Sequence, residues 1–247
     1  MYEMDKMNYF TLVDRIFALN PFLKPPDKGQ AEGMFTIWKM LSETNEKMNL
    51  TAITEESAVI LRHFVDSLTV SGHIPQNSKV IDVGCGAGFP SLPLALCRPD
   101  LEITAIDSTA KKIDFVSDVA TALGIKNLNT FVLRAEAGGK MPEYREKYDV
   151  VTARAVAALP VLCELCLPFC KEDGLFIAMK SRNADDELAD SFRAIELCGG
   201  ALVGRDNIDI SADGVEFEKR SLIIIRKVRK TPKIYPRNFS QISKKPL

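Results

Sequence analysis

The sequence lacks both a long hydrophobic run and an apolar leader. It contains no stretch of about 18 consecutive apolar residues, the length that a membrane-spanning helix requires. Its start, MYEMDKMNYF, mixes charged and apolar side chains, without the basic start and apolar centre of a secretion signal. Together these absences predict a cytoplasmic protein, in which the six cysteines are reduced thiols rather than a disulfide framework.

Histidine is also scarce, which argues against a metal centre. The chain has only two histidines, His63 and His73, which are too few and too far apart to form a metal site. We interpret His63 as a residue on a helix surface, with a place near the cofactor cleft as the alternative. Cys163, Cys166 and Cys170 lie among leucines at helical spacing, which predicts an apolar helix face rather than an iron–sulfur site. No metal is therefore predicted.

Acidic residues are missing from the C-terminal end of the chain. Residues 219–247 contain ten Lys or Arg and no Asp or Glu, although the net charge of the whole chain is −1. An acidic body with a basic end indicates that this end meets a polyanion. A solvated tail that aids solubility is the alternative.

The pattern of apolar residues divides the chain into three parts. Residues 1–75 show helical spacing and no strand signal, which predicts a helical cap whose second helix Asp27 can cap. Residues 76–228 alternate between short apolar strands and helical segments, which predicts right-handed crossovers and a mostly parallel sheet. Residues 229–247 have no periodicity and contain three prolines, so we interpret them as a basic arm.

The strand signals lie at regular intervals in the second part. The candidate strands are Val80–Val83, Ile103–Asp107, Thr130–Leu133, Val150–Ala153, Leu175–Met179 and Ser221–Val228. A less regular stretch over 201–210 is joined to the last apolar strand by a short loop at 211–214, and we expect these two strands to form a hairpin at the sheet edge.

The most informative motif joins the first strand to a glycine loop. Val80–Val83 leads into Gly84, Gly86 and Gly88, and a helix-like segment follows. Glycines at such a turn let the backbone approach a nucleotide cofactor where a Cβ atom would clash. The third glycine of the dinucleotide fingerprint is missing, since Phe89 stands at its position. The loop thus favours S-adenosylmethionine as the cofactor, with an NAD-dependent oxidoreductase as the alternative.

Further candidate contacts follow the ends of other predicted strands. Asp107 ends the second strand, where a carboxylate can accept both hydroxyl groups of a cofactor ribose. Ala135 and Glu136 follow the third strand, where acceptors can hold an adenine amino group. Arg154 ends the fourth strand, near the expected place of the transferred methyl group. Because the carboxyl ends of parallel strands share one edge, we expect a single ligand site there.

Taken together, these residues resemble one family, small-subunit ribosomal RNA methyltransferase G, formerly called glucose-inhibited division protein B. The most specific shared features are Phe89-Pro90 after the glycines and the run Thr152-Ala153-Arg154-Ala155-Val156. The other shared runs are Asn49–Ile53, His63–Leu68, Asp107-Ser108 with Lys111-Lys112, Arg134–Glu136, Lys230–Lys233 and Tyr235–Arg237. The resemblance covers most of the chain.

The resemblance implies both a fold and a reaction. The fold is that of class I S-adenosylmethionine-dependent methyltransferases, which is α/β and Rossmann-like with a mostly parallel seven-stranded sheet, here with an N-terminal helical cap. The reaction is methyl transfer to N7 of one guanine in 16S rRNA, with 16S rRNA or the 30S subunit as the partner, and we expect a monomer. The cofactor contacts that the resemblance carries over are Gly84, Phe89, Ala135, Glu136 and Arg154.

Further candidate contacts come from the residues themselves. The glycine loop adds Gly86 and Gly88 to the cofactor contacts, and the carboxylate placed to bind the ribose adds Asp107. The basic end supplies the candidate RNA contacts, which are Arg226, Lys227, Arg229, Lys230, Lys233 and Arg237. Guanine N7 carries a lone pair and no proton, so positioning alone can suffice and no catalytic residue is assigned, with Arg154 the nearest candidate.

The C-terminal end departs from the family pattern. The family usually ends in a basic run followed by glycine, threonine and proline. Here Ile234 interrupts the basic run, and residues 238–242, NFSQI, replace the rest. A methyltransferase with another acceptor and an RNA-binding protein without activity remain alternatives.

Overall fold

The structure, a computed structural model, describes residues 5–181, 184–213 and 215–247. The α-helices are α1 (Lys6–Ala18), α2 (Lys28–Met48), α3 (Glu56–Val59), α4 (Asp66–Leu68), α5 (Ser91–Cys97), α6 (Ala110–Ala122), α7 (Ala135–Gly138), α8 (Leu159–Cys166), α9 (Ala184–Ala189), α10 (Phe192–Leu197) and α11 (Phe239–Lys244). The strands are β1 (Lys79–Val83), β2 (Glu102–Asp107), β3 (Leu128–Val132), β4 (Tyr148–Arg154), β5 (Cys170–Lys180), β6 (Gly200–Ala212) and β7 (Val215–Lys227). None of the helices in these ranges is both long enough and apolar enough to cross a membrane.

Asp27 caps α2, as the sequence predicts. Its carboxylate accepts a hydrogen bond from the backbone N–H of Gln30 at 2.9 Å, and the Gln30 side chain accepts one from the N–H of Asp27 at 3.0 Å. This reciprocal pair satisfies two N–H groups that a helix start would otherwise leave without partners. α1 then packs on α2 through aromatic rings, since the centroid of the Tyr9 ring lies 5.2 Å from that of Phe35 and 5.4 Å from that of Trp38.

The helical segment over residues 56–68 contains a π-helical turn between two α-helices. α3 continues as a π-helix over Ile60–Val65, and α-helical winding resumes in α4. Single-turn π segments inside α-helices are frequent at functional sites. This one carries Arg62 and His63, and both side chains take part in the interactions around the candidate site.

All seven strands form one sheet in the order β3-β2-β1-β4-β5-β7-β6. The first five strands pair in parallel, whereas β7 runs antiparallel to both β5 and β6. The predicted seven-stranded, mostly parallel sheet with a hairpin at its edge is therefore confirmed. The strand order reverses between β1 and β4, and ligands of doubly wound sheets bind at the carboxyl edge of such a switch point.

The edge strand β6 is longer than the sequence indicates. The less regular stretch over residues 201–210 is the first strand of the predicted hairpin, and it pairs with β7 from Gly200 to Ala212, with two shifts of register. Polar residues such as Asp206 and Asn207 hide its pattern, because an edge strand keeps much of its surface in water. Gly214, which was expected in the hairpin loop, lies outside the described residues.

Two buried apolar clusters cover the two faces of the sheet. Alternate residues of β1 point into different clusters, with Val80 in one and Ile81 in the other. The first cluster joins the N-terminal helices to α5 and α6, so the helical cap shares a core with the sheet. The second cluster joins α8, α10 and α11 and also contains the three clustered cysteines, Cys163, Cys166 and Cys170. All three are buried free thiols, although Cys170 begins β5 instead of continuing the helix.

The residues beyond β7 are folded onto the body of the protein. The Arg145 guanidinium donates hydrogen bonds to the carbonyls of Thr231 at 2.6 Å and Tyr235 at 3.0 Å. Pro236 and Ile242 are buried, and Ile242 belongs to the second apolar cluster. The segment over 229–247 therefore does not project as a free arm.

Candidate functional site

A cleft of about 480 Å³ opens at the carboxyl ends of β1 to β4. This volume lies in the range of roughly 300–1,000 Å³ that is usual for small-molecule and cofactor sites. The helical cap supplies Leu50, Thr51 and His63 to one wall, while Leu165 of α8 and Phe239 of α11 line it as well. The structure brings together in this cleft seven of the predicted cofactor contacts, which are Gly84, Gly86, Phe89, Asp107, Ala135, Glu136 and Arg154.

The three loop glycines have positive φ angles but different surroundings. A Cβ atom on Gly86, at φ +58°, would meet nothing within 4 Å and would extend into open space. A Cβ on Gly84, at φ +74°, would lie 2.6 Å from Cγ2 of Val156, another residue that lines the cleft. Gly88 is different, because its Cβ would lie 2.5 Å from Cδ1 of Leu92 inside the core, and Gly88 does not line the cleft. Gly88 therefore serves packing, contrary to its predicted place among the cofactor contacts.

Asp82, two residues before the glycine loop, joins β1 to α5 and β4 by hydrogen bonds. Its buried carboxylate accepts hydrogen bonds from the hydroxyl of Ser91 at the start of α5 and from the hydroxyl of Thr152 in β4, the latter at 3.2 Å. Burial raises the pKa of Asp82 to about 6, although these two hydroxyls and the charge of Arg154 act to lower it. The carboxylate thus ties three elements together beneath the loop and does not line the cleft.

Asp107 fixes the shape of the loop from the neighbouring strand. One carboxylate oxygen accepts a hydrogen bond from the N–H of Gly86 at 3.1 Å, and the other accepts one from the N–H of Thr109 at 2.9 Å. Nζ of Lys112 lies 3.9 Å from the same carboxylate. Because each carboxylate oxygen has room for a second donor, Asp107 can hold the loop and still accept from a ribose.

Ala135 and Glu136 begin the short helix α7, one residue after Arg134. The Glu136 side chain is mostly covered, and its carboxylate lies 3.9 Å from the Arg134 guanidinium. Both residues line the cleft at its β3 side, whereas Arg154 lines it at its β4 side. The acceptors predicted for the adenine and the arginine predicted near the methyl group thus lie at opposite ends of the row of four strands, β3-β2-β1-β4, that border the cleft.

Arg154 is held by a network of charged side chains. Its Nη1 donates to the carbonyl of Arg62 at 2.9 Å and to Oδ2 of Asp66 at 3.1 Å. The other oxygen of Asp66 accepts from Nε of Arg220 in β7 at 3.0 Å. Glu218 closes the network, since it accepts from Arg220 and from Arg62, each at 2.5 Å. Sequence reasoning missed these partners because they join residues far apart in the chain.

His63 is a cleft residue, so the favoured interpretation of a helix-surface histidine is wrong and the alternative, a place near the cofactor cleft, is correct. The imidazole is 6% exposed and stacks on the Phe89 ring, with centroids 4.3 Å apart and planes 12° apart. Its Nε2 lies 3.1 Å from the Thr51 hydroxyl, while Nδ1 is buried without a partner. Burial, aided by the charge of Arg154, lowers the pKa of His63 to about 3, so the imidazole is neutral at physiological pH. The Arg154 guanidinium lies 5.7 Å from the centre of the same Phe89 ring.

Two of the predicted RNA contacts point into the protein. Lys227 is fully buried, and its Nζ donates to the carbonyls of Leu167 at 2.6 Å and Cys170 at 3.0 Å. Arg237 donates from Nε to Oε1 of Glu164 at 2.9 Å and from Nη2 to Oε2 at 2.6 Å, and this carboxylate in α8 is 0% exposed. Both cations therefore satisfy buried acceptors, and this removes them from the RNA-contacting set.

The other four predicted RNA contacts, Arg226, Arg229, Lys230 and Lys233, are exposed. Arg226 pairs with Leu175 near the amino end of the parallel strands, whereas Arg154 pairs with Met179. Four residues of strand separate these two positions, which is roughly 13 Å. The basic C-terminal stretch thus begins on the side of the sheet away from the cleft.

The cleft fits the cofactor that the sequence favours. Gly86 leaves open space that a Cβ would fill, Asp107 offers ribose acceptors beside it, and Glu136 offers a carboxylate on the β3 side. The part of the chain that the structure describes contains no group of three or more His, Cys, Asp or Glu side chains placed to hold a metal ion.

Comparison with known proteins identifies the family. Residues 30–205 match the family described as rRNA small subunit methyltransferase G. The chain is 44% identical over 244 residues to the ribosomal RNA small subunit methyltransferase G of Clostridium perfringens (strain 13 / Type A), covering 98% of this chain and 100% of that one. It is also 44% identical over 220 residues to the protein of the same name from Bacillus subtilis (strain 168), covering 88% and 91%.

Solved structures of lower identity share the fold. A SAM-dependent methyltransferase from Methanosarcina mazei matches with a TM-score of 0.51 and 12% identity, covering 66% of this chain and 98% of that chain. Geranyl diphosphate C-methyltransferase from Streptomyces coelicolor A3(2) matches with a TM-score of 0.51 and 16% identity, covering 66% and 79%. At these identities the likeness concerns the fold alone. The chain therefore has the fold of S-adenosylmethionine-dependent methyltransferases and belongs to the rRNA small subunit methyltransferase G family.

Proposed function

We propose that this protein transfers the methyl group of S-adenosylmethionine to N7 of one guanine in 16S rRNA, acting in the cytoplasm as a monomer. The proposal rests on membership of the rRNA small subunit methyltransferase G family and on the name of relatives that are 44% identical. The observation that carries it is the cleft, where the loop glycines, Asp107, Glu136 and Arg154 meet at one edge of the sheet. When bound there, S-adenosylmethionine would supply an electrophilic methyl group.

The side chains around the methyl end of the cleft suit an acceptor that needs no deprotonation. Asp107 and Glu136 are the only carboxylates among the described residues that line the cleft, and both lie on the β2 and β3 side. Near Arg154, the carboxylate of Asp66 is already engaged by two arginines, and the buried His63 is too weakly basic to accept a proton. Guanine N7 offers a free lone pair, so the task of the protein is to position it and to exclude water.

We assign the cofactor contacts by their place along the cleft. Gly84 and Gly86 let the backbone approach the methionine part, Asp107 accepts from the ribose, and Ala135 with Glu136 holds the adenine edge. Arg154 and Phe89 line the end where the methyl group is transferred, and their mutual contact keeps that wall fixed.

We propose two basic surfaces for rRNA phosphates. The exposed residues of the C-terminal stretch, Arg226, Arg229, Lys230 and Lys233, form one of them. The second borders the cleft, where the side chain of Arg134 is 67% exposed and Lys111 and Lys112 begin α6. Because guanine N7 lies in the deep, narrow groove of A-form RNA, the target base must be in a loop, in unfolded rRNA or flipped out.

Transfer of labelled methyl groups tests this function. The purified protein is incubated with labelled S-adenosylmethionine and either free 16S rRNA or 30S subunits, and a Gly86→Asp variant serves as the control. We expect label in one of these RNA substrates with the wild-type protein only, because an aspartate side chain at position 86 would fill the open space of the cleft. Absence of label from both RNA substrates would contradict the proposal.

A further inference from the structure

The C-terminal segment brings an aromatic ring to the cofactor cleft. Phe239 begins α11, lines the cleft and keeps 42% of its surface exposed. It stands in the stretch NFSQI, where this chain departs from the ending that the resemblance leads one to expect. An exposed phenylalanine inside a cleft indicates a ligand contact, because its ring adds an apolar face to the binding site.

Contacts on both sides of Phe239 hold it in place. On the N-terminal side, Arg237 donates from its backbone N–H at 2.8 Å, from Nε and from Nη2 to the buried carboxylate of Glu164. On the C-terminal side, Ile242 is fully buried in the second apolar cluster. Nη2 of Arg237 also donates to the carbonyl of Lys245 at 3.1 Å, which closes the segment on itself. The ring is therefore presented by an anchored backbone.

The segment lies on the α7 side of the cleft. A Cβ atom on Gly139, the residue after α7, would lie 3.1 Å from Cγ of Pro236 and 3.3 Å from the carbonyl oxygen of Ala135. α11 packs on α8, which supplies Leu165 to the cleft. The segment that carries the ring thus contacts α7 and α8, both of which border the cleft.

We propose that Phe239 is a binding residue for the adenine ring of S-adenosylmethionine, an inference that rests on the proposed function. Adenine needs polar partners at its edge and an apolar surface against its face. Glu136 and the backbone beside it supply the first on this side of the cleft, and the Phe239 ring supplies the second. Stacking between a base and an aromatic side chain is tolerant of small shifts and suits a flat ligand.

Binding of two adenosine ligands tests this inference. S-adenosylhomocysteine and 5′-methylthioadenosine, which lacks the amino-acid part, are titrated by calorimetry into the wild-type protein and into Phe239→Ala. Ile234→Ala is the matched control, because Ile234 lies in the same segment, is 68% exposed and does not line the cleft. We expect Phe239→Ala to weaken both ligands by the same factor, roughly five- to tenfold. Ile234→Ala should leave both affinities unchanged.

A tryptophan at the same position gives a second readout. Phe239→Trp should keep the affinity for both ligands, and its fluorescence should change when S-adenosylhomocysteine binds. The one native tryptophan, Trp38, packs against Tyr9 in the helical cap, so the wild-type protein supplies the background signal.

Three other outcomes would show that the ring contacts the amino-acid part of the ligand, that it contacts the RNA, or that the proposed function fails. If Phe239→Ala weakens S-adenosylhomocysteine but not 5′-methylthioadenosine, the ring contacts the amino-acid part and the adenine assignment is wrong. If both affinities stay unchanged while methyl transfer to rRNA falls, the ring contacts the RNA and the inference is overturned. If wild-type protein binds neither ligand, the proposed function itself fails and takes this inference with it.

Discussion

Replacing Arg237 distinguishes an anchor from an RNA contact. The sequence places Arg237 among the cations that would meet rRNA phosphates, whereas the structure pairs it with Glu164. Arg237→Ala would remove the guanidinium donors of the Glu164 carboxylate, which is 0% exposed. Only the backbone N–H of residue 237 could still reach it.

The expected loss of stability follows from this burial. Removing one member of a buried ion pair costs about 3–5 kcal/mol, because the remaining charge stays buried without a partner. For a chain of this size, each kcal/mol lowers the melting temperature by about 2–4 °C, so we expect a fall of roughly 6–20 °C. Arg237→Lys should also destabilise the protein, since an ammonium group cannot reproduce the planar fork of the guanidinium. The double variant Glu164→Leu/Arg237→Leu should be more stable than Arg237→Ala, because it removes the buried charge altogether.

Thermal unfolding and rRNA affinity at several salt concentrations provide the assay. Lys233→Ala is the control, because Lys233 is exposed in the same segment. Local detachment of α11 would appear as faster hydrogen exchange at the amides of Ile242 and Lys245, which bond to carbonyls within the segment. Arg237 would be an RNA contact and not an anchor if Arg237→Ala left both the melting temperature and these exchange rates unchanged and lowered the salt slope of rRNA binding by about one unit.

Three further predictions follow from other parts of the structure. Gly86→Ala should lower the affinity for S-adenosylhomocysteine more than Gly88→Ala does. Gly88→Ala should lower the unfolding free energy more, by about 1–3 kcal/mol, because its Cβ atom clashes with Leu92. Calorimetry and urea unfolding of both variants would show the reverse order if the two roles were exchanged. The pKa of His63 is about 3 in the folded protein against 6.5 in the unfolded chain, so its contribution to stability is present above pH 6.5 and is lost as the pH falls toward 3. Between pH 7 and pH 5 this loss should lower the unfolding free energy of the wild-type protein by about 2 kcal/mol. His63→Gln should lack this loss, and parallel pH curves for the two proteins in urea unfolding would contradict the assignment. Lys230→Ala, at an exposed position, should flatten the salt dependence of rRNA affinity by about 0.7–0.9 in the logarithmic slope without changing the melting temperature, and an unchanged slope would exclude it as a phosphate contact.

The sheet was predictable because its signals are local. The apolar run of β1, the glycine loop and Asp107 lie within 28 residues of one another and report directly on a strand, a turn and the end of the next strand. β6 was harder to predict because its regularity comes from pairing with β7, and its own polar residues conceal it.

The site was predictable where it follows strand ends and not where tertiary packing completes it. His63 reaches the cleft through a π-helical segment that no apolar pattern specifies. Lys227 was misassigned because a count of charges does not report which side chains are buried. A signal did exist for Arg237, since Glu164 interrupts the apolar run of α8 and a buried carboxylate requires a cationic partner.

Mapping the modified nucleotides of 16S rRNA would show which atom of which base this protein methylates. Free 16S rRNA and 30S subunits without this modification are treated with the protein and S-adenosylmethionine, digested and examined by mass spectrometry for methylated nucleosides and their positions. We expect one new methyl group, at N7 of a single guanosine, and its absence when the Gly86→Asp variant replaces the wild-type protein. A methyl group on another atom or base, or no new methyl group in either substrate, would contradict it.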